Sequence, residues 1–437
     1  MPMINPVKGT HDVIADDADA FSYIESLFSK VCELFGYRKI ITPVVEHTEV
    51  FSRQEEDASD MVRKEMYTFL DKGNRSLTLR PEGTAGIMRA IVTNKLYATP
   101  DLPLKFFYCG PNYRYERPQL GRYREFRQMG VECVGVDSPI ADAECITMAV
   151  RFLAALGFDK LTLKVNTLGD KASRENYKAA LREYFAPRID SMCEDCKTRL
   201  RLNPLRILDC KVPEDQELVK DAPRIQDYLT PESKERYEKT LALLDQMGIA
   251  YEKEDTLVRG LDYYGEIVFE VHGLTPDGKD YGALGGGGHY DGILTTFGGP
   301  ENVDVGVGFA FGLERLCAVA REFGLLENIG YGLDCFLMPV SEKGLDIALM
   351  LADALRSIGY RCETPFAIGK FGPMFKKAER KKARVAIIIG DDEVAKEVVQ
   401  VKNLATQTQE EVKFTELVSF LKKTLNEETT EGPKYVS

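Results

Sequence analysis

Between Lys105 and Glu132 aromatic and polar residues alternate through KFFYCGPNYRYE. A turn containing Pro118, Gln119 and Gly121 breaks the run, and alternation resumes through RYREFRQMGVE. A period of two on both sides of a turn predicts an antiparallel hairpin. Gly110, Asn112, Arg114 and Glu116 then share one face of the first strand, and Arg124, Phe126, Gln128, Gly130 and Glu132 one face of the second. Arginines, a ring, an amide and a carboxylate make a poor core surface. They make a good floor for a phosphate-bearing ligand with a flat base, because guanidinium forks bind phosphate and a ring stacks on a nucleobase. A solvated charged face is the plainer alternative.

Elsewhere the period lengthens. Residues 17–36 carry apolar positions at helical spacing and end on Gly36, and a strand is expected over Lys39–Pro43. From about Asp170 to Ala250 charged helical stretches such as ASRENYKAALREYF and SKERYEKTLALLDQMG dominate, and strand-like sequence resumes at Tyr251. The pattern predicts a first mixed part at 1–169, a helical insertion at 170–250 and a second strand-bearing part at 251–325. After the helix LERLCAVAREFG and the linker ENIGYG, the run DCFLMPV, a helix over Gly344–Ile358, RCETPF, a basic helix and RVAIIIG alternate as β-α-β-α-β. That predicts a small α/β domain over 331–425, with a polar, disordered tail over 426–437. There are no internal repeats.

At 437 residues the chain is long enough for two or three domains, each with its own core. The formal charge of −12 argues against a nonspecific polyanion sponge and leaves a local basic surface open. The opening MPMINPVKGT lacks a basic-then-apolar signal and no apolar run approaches membrane-spanning length, so no membrane and a cytoplasmic location are expected. Ten cysteines without a disulfide-like framework are expected to be reduced thiols. Three of them, Cys193, Cys196 and Cys210, form C-x2-C-x13-C. A structural zinc normally takes four ligands, no fourth Cys or His lies close in sequence, and no metal is the expectation. Within the FKKAERKKAR stretch Lys376, Lys377, Arg380, Lys381, Lys382 and Arg384 cluster in an otherwise acidic chain, which suits phosphate-backbone contacts as well as a plain solvated face.

The hairpin resembles motif 2 of the class II aminoacyl-tRNA synthetases, in the form found in the histidyl-tRNA synthetase family. Leu79–Thr84 (LRPEGT), Arg259–Tyr264 (RGLDYY) and Gly306–Leu316 (GVGFAFGLERL) agree with that family, and the match runs in order from Lys8–Asp12 (KGTHD) to the C-terminal domain. The resemblance implies an α+β catalytic fold with a mixed, mainly antiparallel sheet, plus a small α/β anticodon-binding domain. It implies attachment of histidine to tRNA(His) through a histidyl-adenylate, with ATP as substrate, Mg²⁺ beside it, and a homodimer built on the helix and strand near residues 17–43. An ordinary amphipathic core helix fits that segment equally well.

By the same resemblance Arg259 and Arg114 are the catalytic cations at the α-phosphate. Arg122, Phe126 and Arg315 join Arg114 around ATP. Glu82, Thr84 and Gln128 take the α-amino group of histidine. Glu132 and Tyr264 read its ring, with Tyr263 near and Tyr290 a further pocket candidate. Arg117 and Gln119 at the hairpin tip meet the acceptor end of tRNA, and Lys376, Lys377 and Arg380 the anticodon stem. The glycine-rich stretch GGGGHYDG over Gly285–Gly292 is expected as a loop. The family usually has arginine before its Tyr-Asp pair, and this chain has His289, which leaves the charge there open. Two rivals share these features in part. One is a non-catalytic relative such as the synthetase-like regulatory subunit of ATP phosphoribosyltransferase, which loses the tRNA-binding domain. The other is a class II synthetase for another amino acid, against which RGLDYY argues.

Overall fold

The alternating hairpin is a long ladder at the centre of the first of two units, Met1–Asn328 and Ile329–Ser437, in the computed structural model. The structure describes residues 3–52, 61–117, 121–260, 263–274, 280–327, 329 and 332–426. In chain order the first unit holds α1 (Asp16–Leu34), β1 (Arg38–Lys39), β2 (Val45–His47), β3 (Tyr67–Leu70), β4 (Ser76–Leu79), α2 (Thr84–Thr93), β5 (Leu104–Tyr113), β6 (Glu125–Val134), α3 (Pro139–Leu156) and β7 (Leu161–Thr167). There follow α4 (Lys171–Phe185), α5 (Glu194–Leu202), α6 (Pro213–Lys220), α7 (Pro231–Gln246), β8 (Glu252–Lys253), β9 (Tyr264–Leu274), β10 (Asp280–Asp291), β11 (Val305–Gly312) and α8 (Leu313–Glu322). Eight of these strands form one sheet in the order β1-β5-β6-β11-β10-β9-β7-β8, antiparallel except at its two edges. Strands β2, β4 and β3 form a separate antiparallel sheet.

Register decides which residues face the site. Phe106 lies opposite Glu132, Tyr108 opposite Gly130, Gly110 opposite Gln128 and Asn112 opposite Phe126. The pattern thus gave the right face, but the ladder ends at Tyr113. Arg114 and Glu116 lie beyond it, although the Arg114 N–H still donates to the Arg124 carbonyl at 2.9 Å. The opposite face is core: Phe28 of α1 meets Phe107, Phe152 and Phe309 edge-on, with centroid distances of 5.0–6.3 Å.

Two expected elements differ. Strand β1 covers only Arg38–Lys39. Ile40 still donates to the Phe107 carbonyl, but Pro43 has no N–H to continue a ladder. Gly285–Asp291 is not a loop but the second half of β10, threaded between β9 and β11. A side chain at Gly286 would collide with the Phe269 carbonyl, and one at Gly287 with the Gly308 carbonyl. Only Gly292, at φ +73°, sits in a turn that favours glycine.

The second unit contains β12 (Cys335–Pro339), α9 (Glu342–Ser357), β13 (Cys362–Glu363), α10 (Phe371–Arg380), β14 (Val385–Ile389), α11 (Asp391–Lys396), β15 (Val398–Asn403), β16 (Gln409–Lys413) and α12 (Leu417–Asn426). The expected β-α-β-α-β run is present, and every residue of β12 and β14 is buried, as continuous apolar runs require. An antiparallel hairpin, β15–β16, extends the sheet to the order β13-β12-β14-β15-β16 and makes it mixed. Its Gln/Lys/Glu-rich residues hid it from the sequence pattern. Apart from Asn426, the expected tail lies outside the described residues.

Phe28→Ala removes the ring on which this face of the sheet converges, and should destabilise the first unit by about 3–5 kcal/mol. Its urea unfolding midpoint, followed by circular dichroism, should fall; an unchanged midpoint contradicts this packing.

Candidate active site

Glu132 sits near the end of β6 and is only 2% exposed. Its Oε1 accepts a hydrogen bond from the Thr84 hydroxyl at 2.6 Å, and its Oε2 one from the Tyr290 hydroxyl at 2.7 Å. Space for this carboxyl comes from Gly308, its register partner in β11, where any Cβ would strike the Glu132 side chain. Gly306 does the same for the Tyr290 ring. The alternating glycines of GVGF thus face the site, while Val307 and Phe309 face the core. Burial pushes the Glu132 carboxyl up from 4.5 to about 8; the bonds from Thr84 and Tyr290 oppose the shift and the charge of Glu82 adds to it.

Thr84 is held by the start of α2. Glu82 accepts from the Thr84 and Ala85 N–H groups at 2.8 and 2.9 Å, placing a buried carboxylate at the positive end of the helix. Gln128 accepts from the Asn112 amide at 2.8 Å on the same sheet face.

From Tyr290 a wall of rings leads to the cations. Tyr263 lies 5.9 Å from Tyr290 and 4.9 Å from Tyr264, and the Arg259 guanidinium lies 5.5 Å from the Tyr264 ring centre. Burial pushes the Tyr264 hydroxyl up to about 12, with Arg259 opposing. Arg259 Nη1 pairs with Glu270 at 2.8 Å, and its buried Nε has no hydrogen-bond partner among the described residues. Glu270 is also held by His272, whose other ring nitrogen meets Asp280 at 2.9 Å. Burial works against ionisation of Glu270, but His272 and Arg259 hold it below the usual carboxylate range.

Arg114 donates to the Pro81 carbonyl at 2.9 Å and lies 5.3 Å from the Phe126 ring centre, bringing a cation and a stacking ring together beside the Glu82 turn. Arg315, in the first turn of α8, donates to the carbonyls of Ala283 and Tyr281. Burial lowers its pKa, and the charge of Arg122 lowers it further, so these two arginines feel each other. Beside Arg315, Glu314 accepts twice from the Arg127 N–H, at 2.8 and 2.9 Å, tying α8 to β6.

The remaining sequence candidates stand apart. Arg117 is exposed beyond the hairpin ladder, and Gln119 lies outside the described residues. In the second unit Lys376 and Arg380 of α10 are exposed, but Lys377 and Lys381 both pair with Glu363, so the basic cluster is partly neutralised by an acid from β13. His289 is buried against Asp142 at 3.1 Å. A guanidinium is present there all the same: Arg236 of α7 meets Asp142 at 2.7 Å and His289 Nδ1 at 3.2 Å. Sequence reasoning missed Arg236 and Glu270 because each acts across elements. The local sign at Glu270 was a charged residue on a mostly apolar strand that also carries Glu266 and His272.

A family model described as histidyl-tRNA synthetase matches residues 9–316, and one described as an anticodon binding domain matches 334–424. The histidine–tRNA ligase of Geobacillus sp. (strain WCH70) is 44% identical over 422 residues, covering 96% of this chain and 99% of that protein. The Bacillus subtilis (strain 168) ligase is 42% identical over 421 residues, covering 96% and 98%. The crystal structure of the apo Staphylococcus aureus histidyl-tRNA synthetase superposes with a TM-score of 0.80 at 36% identity, covering 96% of this chain and 100% of that one. With Glu132, Thr84, Tyr290 and Arg259 converging as described, the chain belongs to the histidyl-tRNA synthetase family.

Proposed function

We propose that this chain attaches histidine to tRNA(His) through a histidyl-adenylate, with the adenylation site in the cleft lined by β6, β10, β11 and the start of α2. The observation that carries the residue assignments is the buried Glu132 carboxyl held between Thr84 and Tyr290. An imidazole offers one ring N–H when neutral and two when charged, and Glu132 is the acceptor suited to it. At neutral pH the free site holds its proton on Glu132. Histidine entering with a neutral ring takes that proton and leaves an imidazolium–carboxylate pair. An apolar side chain would offer the Glu132 proton no acceptor, which is the basis of selectivity. Tyr264 and Tyr263 wall the ring; Glu82, Thr84 and Gln128 take the α-ammonium.

In the first step a carboxylate oxygen of histidine attacks the α-phosphorus of ATP and pyrophosphate leaves. Two anions must approach, and Arg259 and Arg114 supply the fixed positive charge that lets them. Arg259 exchanges its contact with Glu270 for the α-phosphate and substrate carboxylate. Phe126 and Arg315 sandwich the adenine, with Arg122 and Arg315 toward the phosphates. In the second step the terminal ribose hydroxyl of tRNA attacks the activated carbonyl and AMP leaves. Mg²⁺ would join the ATP phosphates and offset their negative charge, while Glu270, released by Arg259, keeps its contact with His272.

The same reading takes 1–169 and 251–325 as the catalytic domain, 170–250 as its helical insertion and 331–425 as the anticodon-binding domain. Arg117 and Gln119 contact the acceptor end, and Lys376, Lys377 and Arg380 the anticodon stem. A homodimer is supported by exposed apolar residues near the first helix and the small sheet: Leu34, Ile41, Val45, Phe69 and Leu70. No helix of the described residues is long and apolar enough to cross a membrane. By the family's chemistry, charging of tRNA, the site of action in this reading is the cytoplasm.

Two measurements test the assignments. Arg259→Ala should fold with an unchanged melting temperature and lose roughly 10²–10³-fold in histidine-dependent pyrophosphate exchange; equal exchange rates dispose of its role. For Glu132 the folded value of about 8 exceeds the ordinary 4.5, so its contribution to stability is full below about pH 4.5 and is lost as pH rises to about 8. Glu132→Gln mimics the protonated carboxyl. Its stability margin over wild type should widen from about pH 5 to about pH 9, and a margin that stays flat contradicts the shift.

A further inference from the structure

The helical insertion closes its core around four side chains that the adenylation site does not use. Cys193, Cys196, Cys210 and Asp215 place one donor atom each so that all four lie within 4.8 Å of one another. Cys196 is 0% exposed, Cys210 4% and Asp215 1%. The Cys193 and Cys210 sulfurs are 3.9 Å apart, and Cys210 Sγ is 3.2 Å from Asp215 Oδ2. Tetrahedral zinc with Zn–S bonds of about 2.3 Å and Zn–O of about 2.0 Å sets ligand edges of about 3.8 Å between sulfurs and about 3.5 Å between sulfur and oxygen. The Cys193–Cys210 and Cys210–Asp215 separations match those edges within a few tenths of an ångström, and the remaining ones, all within 4.8 Å, need a contraction of at most about 1 Å.

Backbone geometry points the same way. Cys193 caps α5, accepting from the Cys196 N–H at 3.4 Å, so the C-x2-C pair turns both sulfurs inward at a helix start. Asp215, in the first turn of α6, accepts from the Cys193 N–H at 3.2 Å, which fixes the carboxylate beside the thiols. Asp215 follows Cys210 by five residues and stands where no nearby Cys or His could.

We propose that Cys193, Cys196, Cys210 and Asp215 form a structural zinc site that staples the helical insertion. Three thiolates and one carboxylate carry the same formal charge as a four-thiolate site, and four protein ligands leave no open position for catalysis. The thiol protons leave to solvent as the metal binds. A Cys193–Cys210 disulfide would use two of the four groups and leave a buried thiol facing a buried carboxylate. Zinc satisfies all four.

The site also has a bearing on the adenylation cleft. α5 and α6 have only 9 and 8 residues, and the turn between them carries Arg206, which donates to the Gly260 carbonyl beside Arg259. Leu257 and Val258 pack in the same core as Cys196 and Cys210. Zinc therefore fixes the wall behind the segment that bears Arg259.

Full-length protein expressed with zinc in the medium and dialysed should retain about one zinc per chain by mass spectrometry. Cobalt added to chelator-treated wild type should give thiolate charge-transfer bands and the intense visible bands of a tetrahedral site. Cys196→Ser and Cys210→Ser should abolish retention. The milder Asp215→Asn should weaken zinc affinity by about 10- to 100-fold in competition with a chromophoric chelator. Less than about a tenth of an equivalent of zinc together with no cobalt bands would overturn the proposal. So would zinc retained undiminished in both cysteine variants, or a Cys193–Cys210 disulfide in metal-free protein purified without air. The cobalt titration uses wild type only, so it decides the matter even if a variant fails to fold.

Discussion

A carboxyl buried against its own preference organises this molecule. Glu132 loses its water in the middle of the great sheet, and its remaining partners come from segments far apart in the chain. Thr84 arrives on a helix start, Tyr290 on β10, and the space itself from Gly308 on β11. Each of those elements is shaped to the carboxyl. Glu82 caps α2 so that the Thr84 hydroxyl points inward, and glycines alternate along β11 so that two side chains from neighbouring strands can lie over it. A buried acid raised to about 8 disfavours folding at neutral pH. Retaining such a group is intelligible where a ligand completes it, and on the function proposed above an imidazole would do so by accepting its proton.

The cations follow a complementary logic. Arg259, Arg114 and Arg315 are each held by backbone carbonyls, an aromatic face or a carboxylate, so none is left to wander in solvent. Their positions are set in advance, and on the function proposed above they would meet the charge of the ligand. At His289 the same logic operates by substitution between elements. Beside His289 of β10 a guanidinium comes from another element, Arg236 of α7, which meets both Asp142 and the His289 ring.

The sequence made periodic and punctuated features legible. Alternation along β5 and β6 placed Gln128, Gly130 and Glu132 on one face, and the apolar runs of β12 and β14 were visible without any partner. What escaped depended on long-range pairing. Glu132 read alone is a charged strand residue with no sign of burial, since its burial comes from Gly308 and Tyr290 more than 150 residues away. The glycine run of β10 looked like a loop because its reason for being glycine is the carbonyls of the strands on either side. The cationic helix α10 looked fully basic because the acid that pairs with it, Glu363, sits in a two-residue strand. Asp215 was overlooked for a chemical reason, as aspartate is the least conspicuous of zinc's ligands.

The central claim concerns one proton, and infrared difference spectroscopy between the wild type and Glu132→Gln reads it directly. At pH 7 the free protein should show the carbonyl stretch of a protonated carboxylic acid that the variant lacks, and saturating histidine should abolish it as the proton passes to the imidazole. A carboxylate already ionised at pH 7 without ligand, or a protonated band that persists when histidine is bound, would contradict the account.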